Sequence, residues 1–221
     1  MPLTLISSER FVDHVTPVGH PERPERAEVF NRVAEAFKAA GGRVIEPRPA
    51  ADEDLARVHT PEHIDAIVDY DVHHGNGTQW IFYDDPTVLF VSSHQYPFYP
   101  GTGAASETGR GAGAGYTLNV PLAAGATDAE IEGKYAGLVM PALRKFKPEL
   151  LMISAGFDAH ELDPLGQLRM TTDGFRRLTA ALLAEADALC KGRAVLATEG
   201  GYDLGAVTHC LSAIVESSTP S

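Results

Sequence analysis

Cysteine is nearly absent: Cys190 and Cys210 are the only two in 221 residues, in apolar surroundings and without C-x-x-C spacing. They read as buried free thiols, which argues against a disulfide framework and fits a reducing, cytoplasmic setting. Positive charge is also scarce. Eighteen Lys and Arg against thirty Asp and Glu leave a formal charge of −12 with no basic run, so direct nucleic-acid or membrane-surface binding lacks its electrostatic footprint. No stretch approaches ~18 consecutive apolar residues, and MPLTLISSERF at the amino terminus has an early Glu and no charged-then-apolar leader pattern, which disfavours membrane insertion and secretion. Internal repeats and low-complexity linkers are missing as well. What is present, 44% apolar residues with 21 Gly and 15 Pro, is the composition of one globular domain rich in loops, spanning 1–221 with a flexible tail at 217–221.

Apolar periodicity places the elements. Leu3 to Ile6 reads as a short strand, and the prolines of TPVGHPERPER forbid a regular element there. Val29, Phe30, Val33, Ala34 and Phe37 fall at helical spacing between Glu25 and Ala40, with Gly41-Gly42 as the stop. Arg43 to Ile45 predicts a second strand, Asp52 to Val58 a short helix, and Thr60-Pro61 the start of another. Between His63 and Asp71 the chain passes from this helix into the apolar run Ala66-Ile67-Val68 without Gly, Pro, Asn or Ser, although a helix-to-strand reversal normally needs such punctuation. Beyond it, strands at 87–92, 116–120, 149–154 and 194–198 alternate with helices at 129–145, 172–189 and 204–216. Unbroken apolar strands alternating with helices predict an α/β fold, a parallel sheet flanked by helices on both faces, with ligands at the carboxyl ends of the strands.

Polar residues cluster at those ends. In Asp69-Tyr70-Asp71-Val72-His73-His74-Gly75-Asn76-Gly77, residues two apart in an extended chain share a face, so Asp69, Asp71 and His73 are expected to project together. A carboxylate and an imidazole suit a borderline divalent cation, but a catalytic site needs a third ligand and an open position. Asp158 and Asp163, after the strand ELLMIS, are the candidates for that third ligand. Glu199-Gly200-Gly201-Tyr202 follows another strand, its glycines allowing close backbone approach and its phenol able to hydrogen-bond a developing oxyanion.

These stretches, with GHPERPER (19–26), HTPEHI (59–64), VLFVSSHQYPFYPGTG (88–103) and GYTLNVPL (115–122) in the same order, resemble the histone deacetylase and acetylpolyamine amidohydrolase family of the arginase/deacetylase fold. The resemblance implies Asp71, His73 and Asp163 as ligands of a catalytic Zn²⁺, with Fe²⁺ compatible, Tyr202 as the oxyanion donor, and Asp158 and His74 as supporting residues. It implies a structural K⁺ site at Asp69, Ser92 and the carbonyls of Asp71, His73 and Ser93, and a second monovalent site at Phe82, Asp85, Val88 and Tyr116. Tyr99, with Gly200 and Gly201, corresponds to the tunnel that grips the acylated side chain.

The resemblance also shows a gap. Family members carry a Pro-Pro-Gly-His-His-type segment between the HTPEHI region and the metal strand, and its tandem histidines activate water; here that region is missing, as though an internal block had been lost near 64–69. An incomplete sheet follows. The function expected is a zinc-dependent deacetylase acting on acetyl-lysine peptides or acetylpolyamines, impaired by loss of the general base, with homo-oligomerisation open. The alternative is a metal-binding pseudoenzyme or acyl-binding module.

Overall fold

The structure, a computed structural model, describes residues 3–14, 16–17, 19–48 and 65–218. The expected helices at 52–58 and from 60, the HTPEHI stretch and the approach to the metal strand lie outside these residues. Strand β1 (Thr4–Ile6) and helix α1 (Pro24–Ala39) precede β2 (Arg43–Ile45). Then come β3 (Asp65–Tyr70), α2 (Asn76–Ile81), β4 (Val88–Gln95) and β5 (Thr117–Leu122). Helices α3 (Asp128–Lys134) and α4 (Met140–Phe146) lead to β6 (Leu150–Ala155), α5 (Thr172–Cys190), β7 (Ala194–Thr198) and α6 (Leu204–Ser218).

Each boundary has a local cause. Pro24 occupies the first turn of α1, where its missing N–H costs nothing. Thr171 caps α5 by accepting from Gly174 N–H at 3.1 Å. The helix expected over 129–145 is two α-segments joined by a π-turn at Tyr135–Val139. Pro141 stands two residues beyond its end, and its ring and absent N–H prevent regular α-helical bonding back into that turn. Ser217 and Ser218 stand in the last turn of α6, their hydroxyls donating to the Ile214 carbonyl at 3.0 and 2.8 Å.

Five parallel strands form the main sheet in the order β5-β4-β3-β6-β7, and β1 pairs with β2 in a separate parallel pair. From β3 the chain winds outward through β4 and β5, then returns to the other side of β3 with β6 and β7. The order therefore reverses at the β3/β6 boundary, which is where open α/β sheets form a ligand crevice beyond the carboxyl ends of their strands. Register there is fixed along the whole strand, Asp65 opposite Leu150 through Tyr70 opposite Ala155. Val68, Val91, Leu151 and Ile153 are buried in the sheet's core, with Phe157, Phe175, Leu178 and Leu182 packed among them.

The sheet is less covered at its β7 side. Strand β7 bonds only to β6 among the described residues, and Met152 and Val195, opposite each other in register, are 37% and 50% exposed. Position in the sheet thus predicts opposite responses. Ile153→Ala, in the core of β6, should cost about 2–5 kcal/mol by urea unfolding, whereas Val195→Lys on the open strand should stay within ~0.5 kcal/mol of wild type and lower light scattering at high concentration. A multi-kcal/mol loss from Val195→Lys would mean that this edge is covered in solution.

Candidate metal centre

Strand β3 ends at Tyr70, so the alternation expected to align Asp69, Asp71 and His73 stops short of two of them. A tight turn takes its place. Asp71 Oδ1 accepts from the His73 backbone N–H at 2.7 Å and lies 3.1 Å from His73 Nδ1. This local bond folds the imidazole back beside the carboxylate, while Asp69 stays buried beneath them.

Asp158 arrives from the neighbouring strand. Its Oδ1 accepts from Val72 N–H at 2.8 Å, and its Oδ2 lies 3.2 Å from His73 Nδ1. One ligand atom from each of Asp71, His73 and Asp158 falls within 4.8 Å of the others. Asp163, expected as the third ligand, is committed elsewhere: its carboxylate accepts from the backbone N–H of Leu165 at 3.0 Å, Tyr202 at 2.7 Å and Asp203 at 3.4 Å. It ties the 158–166 loop to the loop after β7. Asp158, and not Asp163, lies together with Asp71 and His73, while Asp163 braces the Tyr202 loop.

The residues fit a divalent cation. Asp158 Oδ2 is buried and, apart from the His73 Nδ1 contact at 3.2 Å, meets no donor among the described residues, an arrangement that costs free energy unless positive charge faces it. Burial and then Asp71 push the Asp158 carboxyl up to about 7. Burial raises Asp69 too, reinforced by Asp71, Glu199 and Asp158. His73 is raised as well: burial would lower it, but the close carboxylates of Asp158 and Asp71 outweigh that and lift it to about 10. His73 Nδ1 faces both carboxylates at 3.1 and 3.2 Å, and a divalent cation in place of a proton there would have a two-oxygen, one-nitrogen set with an open position.

The β7 loop closes the other side. A Cβ on Gly200 would lie 2.1 Å from Asp158 Oδ2 and 2.9 Å from Asp71 Oδ2, so only glycine lets this backbone pass the cluster. Tyr202 is half-buried, and its phenol is pushed up to about 12 by burial, then by Asp158 and Asp71. It therefore stays a hydrogen-bond donor at neutral pH. Arg26, which sequence reasoning missed, fixes this loop. Its Nε donates to the Gly201 carbonyl at 2.6 Å, its Nη2 to the Glu199 carbonyl and its Nη1 to Glu22, and its guanidinium sits 5.4 Å from the centre of the Tyr202 ring. Gly201 is buried, so close to Val207 and Phe157 that a Cβ would lie 2.7 Å from Val207 Cγ2. The signal was present in the sequence: Arg26 lies three residues before Val29 on the apolar stripe of α1.

Neither His74 nor His160 is free to act as a base. His74 is buried with Nδ1 bonded to Thr102 Oγ1 and Nε2 to Gln79 Oε1. His160 has Nε2 on Thr172 Oγ1 and Nδ1 accepting from Leu162 N–H. Of the residues expected around monovalent cations, Ser92 Oγ pairs with His94 Nδ1 at 3.0 Å and Ser93 Oγ with the Tyr135 hydroxyl at 2.8 Å. The Tyr116 carbonyl accepts from Phe90 N–H, the Phe82 carbonyl from Asp85 N–H, and Asp85 Oδ1 from Thr87; Val88 is buried.

A family model described as the histone deacetylase domain matches residues 65–218. This chain belongs to the histone deacetylase family. It is 41% identical over 201 residues to "Histone deacetylase 10, chloroplastic" of Oryza sativa subsp. japonica, covering 90% of this chain and 42% of that protein. It is 45% identical over 139 residues to a "Probable deacetylase" of Archaeoglobus fulgidus, covering 63% and 39%. Among solved structures, the HDA15 HD domain superposes with a TM-score of 0.79 at 26% identity over 97% of this chain and 88% of that one. The histone deacetylase Clr3 gives 0.78 at 28% identity over 97% and 52%. The arginase/deacetylase fold expected from sequence is thereby established. The chain spans less than half the length of these curated relatives.

The Gly200 approach yields a direct test. Gly200→Ala should displace the Asp158 carboxylate and weaken Zn²⁺ binding by about 10–100-fold in competition titrations, while Gly133→Ala, where a Cβ meets nothing within 4 Å, should leave the affinity unchanged. Equal affinities for the two variants would remove Asp158 from the site.

Proposed function

We propose that this histone deacetylase family chain is a Zn²⁺-dependent amidohydrolase that removes acetyl groups from lysine side chains or polyamines. The observation that carries the reading is the Asp71–His73–Asp158 cluster, whose buried Asp158 Oδ2 meets no donor but His73 among the described residues, beside the Tyr202 loop. Asp71, His73 and Asp158 would hold the ion, with Fe²⁺ also suited to this donor set. When bound, it supplies Lewis acidity at the amide carbonyl and lowers the pKa of attacking water. Tyr202 keeps its proton and donates to the oxyanion that develops as the carbonyl is attacked. Arg26 and Asp163 hold the Tyr202 backbone in place, and Phe98 and Tyr99 form an apolar wall for the alkyl stem. Asp69 with Ser92 and nearby carbonyls would take a K⁺ that offsets the buried carboxylates, and the carbonyls near Phe82 and Tyr116 a second monovalent ion.

Turnover is expected to be slow. A positioned general base typically contributes about 10²–10⁴-fold, and the rings of His74 and His160 are both fully engaged. That observation supports the second reading, a metal-binding, acyl-recognising module without turnover. It also fits an internal block lost beside β3, because β1 and β2 stand apart from the main sheet while β7 keeps an unpaired edge among the described residues. The net charge of −12 favours encounter with cationic substrates. The buried thiols of Cys190 and Cys210 suit a reducing compartment such as the cytoplasm.

Metal content of the purified chain and of Asp158→Ala, with hydrolysis of an acetyl-lysine peptide and an acetylated polyamine on the same samples, separates the readings. The expected result is close to one Zn²⁺ per chain, lost in Asp158→Ala, with slow turnover of at least one substrate. Bound metal without turnover selects the module, and a chain that binds no metal contradicts both.

A further inference from the structure

A buried polar chain beneath the metal cluster has no part in the steps above. It ends on the 96–104 loop, which follows β4 and carries Phe98 and Tyr99. The Phe98 ring stacks on the His73 imidazole with centroids 5.6 Å apart and planes at 24°, and Tyr99 meets the same ring edge-on at 6.0 Å. Tyr99 is 75% exposed, so core packing does not fix it. Hydrogen bonds at the far end of the loop hold it instead. Glu107 Oε1 accepts from the N–H of Gly103 at 3.0 Å and of Ala104 at 3.1 Å, and its Oε2 accepts from Gln79 Nε2 at 2.7 Å.

The polarity of each further link follows from that carboxylate. Glu107 only accepts, so it turns the Gln79 amide nitrogen towards itself and leaves Gln79 Oε1 facing His74 Nε2 at 2.9 Å and Asn119 Nδ2 at 2.7 Å. An amide oxygen cannot donate, so His74 carries its proton on Nε2, and the Thr102 hydroxyl donates to His74 Nδ1 at 2.8 Å. His94 adds a parallel tie, its Nε2 donating to the Gly103 carbonyl at 3.0 Å. Gly103 is pressed so closely into this cluster, at φ +93°, that a Cβ would lie 2.3 Å from His94 Nε2. Gln79, His74, His94 and Asn119 are all buried, so each broken link leaves a desolvated polar group.

We infer that Glu107 is a positioning residue for substrate: through its bonds to Gly103 and Ala104, and through Gln79, His74 and Thr102, it fixes the loop that holds Phe98 and Tyr99 over His73. The width of the slot that grips the alkyl stem of an acylated amine is then set by this relay. The inference rests on the proposed function, which makes that wall a substrate contact.

The test uses the full chain loaded with Zn²⁺, a fluorescent acetyl-lysine peptide as probe, and hydrogen exchange of the 96–104 segment. In Glu107→Gln, exchange at Gly103 and Ala104 should accelerate about tenfold or more and peptide Kd should rise about tenfold, with Zn²⁺ affinity within about threefold of wild type. The exchanged pair Glu107→Gln/Gln79→Glu keeps a carboxylate against an amide with the polarity reversed, and should recover most of both losses. Thr102→Val cuts only the His74 link and should give a smaller shift in the same direction. Peptide affinity that holds while exchange accelerates would overturn the inference, as would a matching loss of Zn²⁺ affinity or failure of the exchanged pair to rescue. If wild type binds no acetyl-lysine peptide, the proposed function fails on that arm, and the hydrogen-exchange comparison alone decides whether Glu107 orders the loop.

Discussion

Carboxylates that repel one another are gathered at one end of this sheet. Burial and Asp71 raise the proton affinity of both Asp69 and Asp158, Asp158 adds to the effect on Asp69, and His73 lies between Asp71 and Asp158. Burying such charges without a cation costs several kcal/mol per group, so the arrangement makes sense as a site whose occupant supplies the missing positive charge. The surrounding loops are built around that constraint. Gly200 gives up a side chain so that backbone can approach the carboxylates, Asp163 pins the adjoining turn, and Arg26 spends all three of its nitrogens on the same loop and its neighbour Glu22.

Topology explains why these residues meet. Strands β3 and β6 are far apart in sequence but adjacent in the sheet, and both end at the point where strand order reverses. Asp71 and His73 follow β3 and Asp158 follows β6, so the parallel pairing of these two strands assembles the cluster. The loop after β4 brings the aromatic wall, and the loop after β7 brings the phenol. Four successive carboxyl ends thus contribute to one crevice, and the exposed face near Met152 and Val195 lies towards the side of the sheet where pairing stops.

Much of this was legible in the sequence. Apolar runs located the strands and helical spacing located α1, α5 and α6, because burial on a parallel sheet imposes those patterns directly. Asp71, His73 and Tyr202 stood out as polar residues at strand ends. The choice between Asp158 and Asp163 did not. The two share one loop five residues apart, and what separates them is tertiary: Asp163 is satisfied by three backbone N–H groups, two of them beyond β7, whereas Asp158 reaches back across the β3/β6 pairing. Glu107 left no trace at all, since a glutamate in a glycine-rich loop looks solvated until the fold places Gln79 and two backbone amides around it. Arg26 was readable but overlooked, a charged residue at an apolar position of its helix.

Asp71, His73 and Asp158 are proposed to hold one divalent cation between them. X-ray absorption at the zinc edge of the Zn²⁺-loaded chain tests this assignment most directly, because it reports the donor atoms themselves. The expected spectrum has a light-atom shell at about 2.0–2.2 Å with the outer scattering of one imidazole and no sulfur, and that ordered shell is lost in Asp158→Ala. A spectrum requiring two or more imidazoles, or one unchanged by Asp158→Ala, would contradict the assignment.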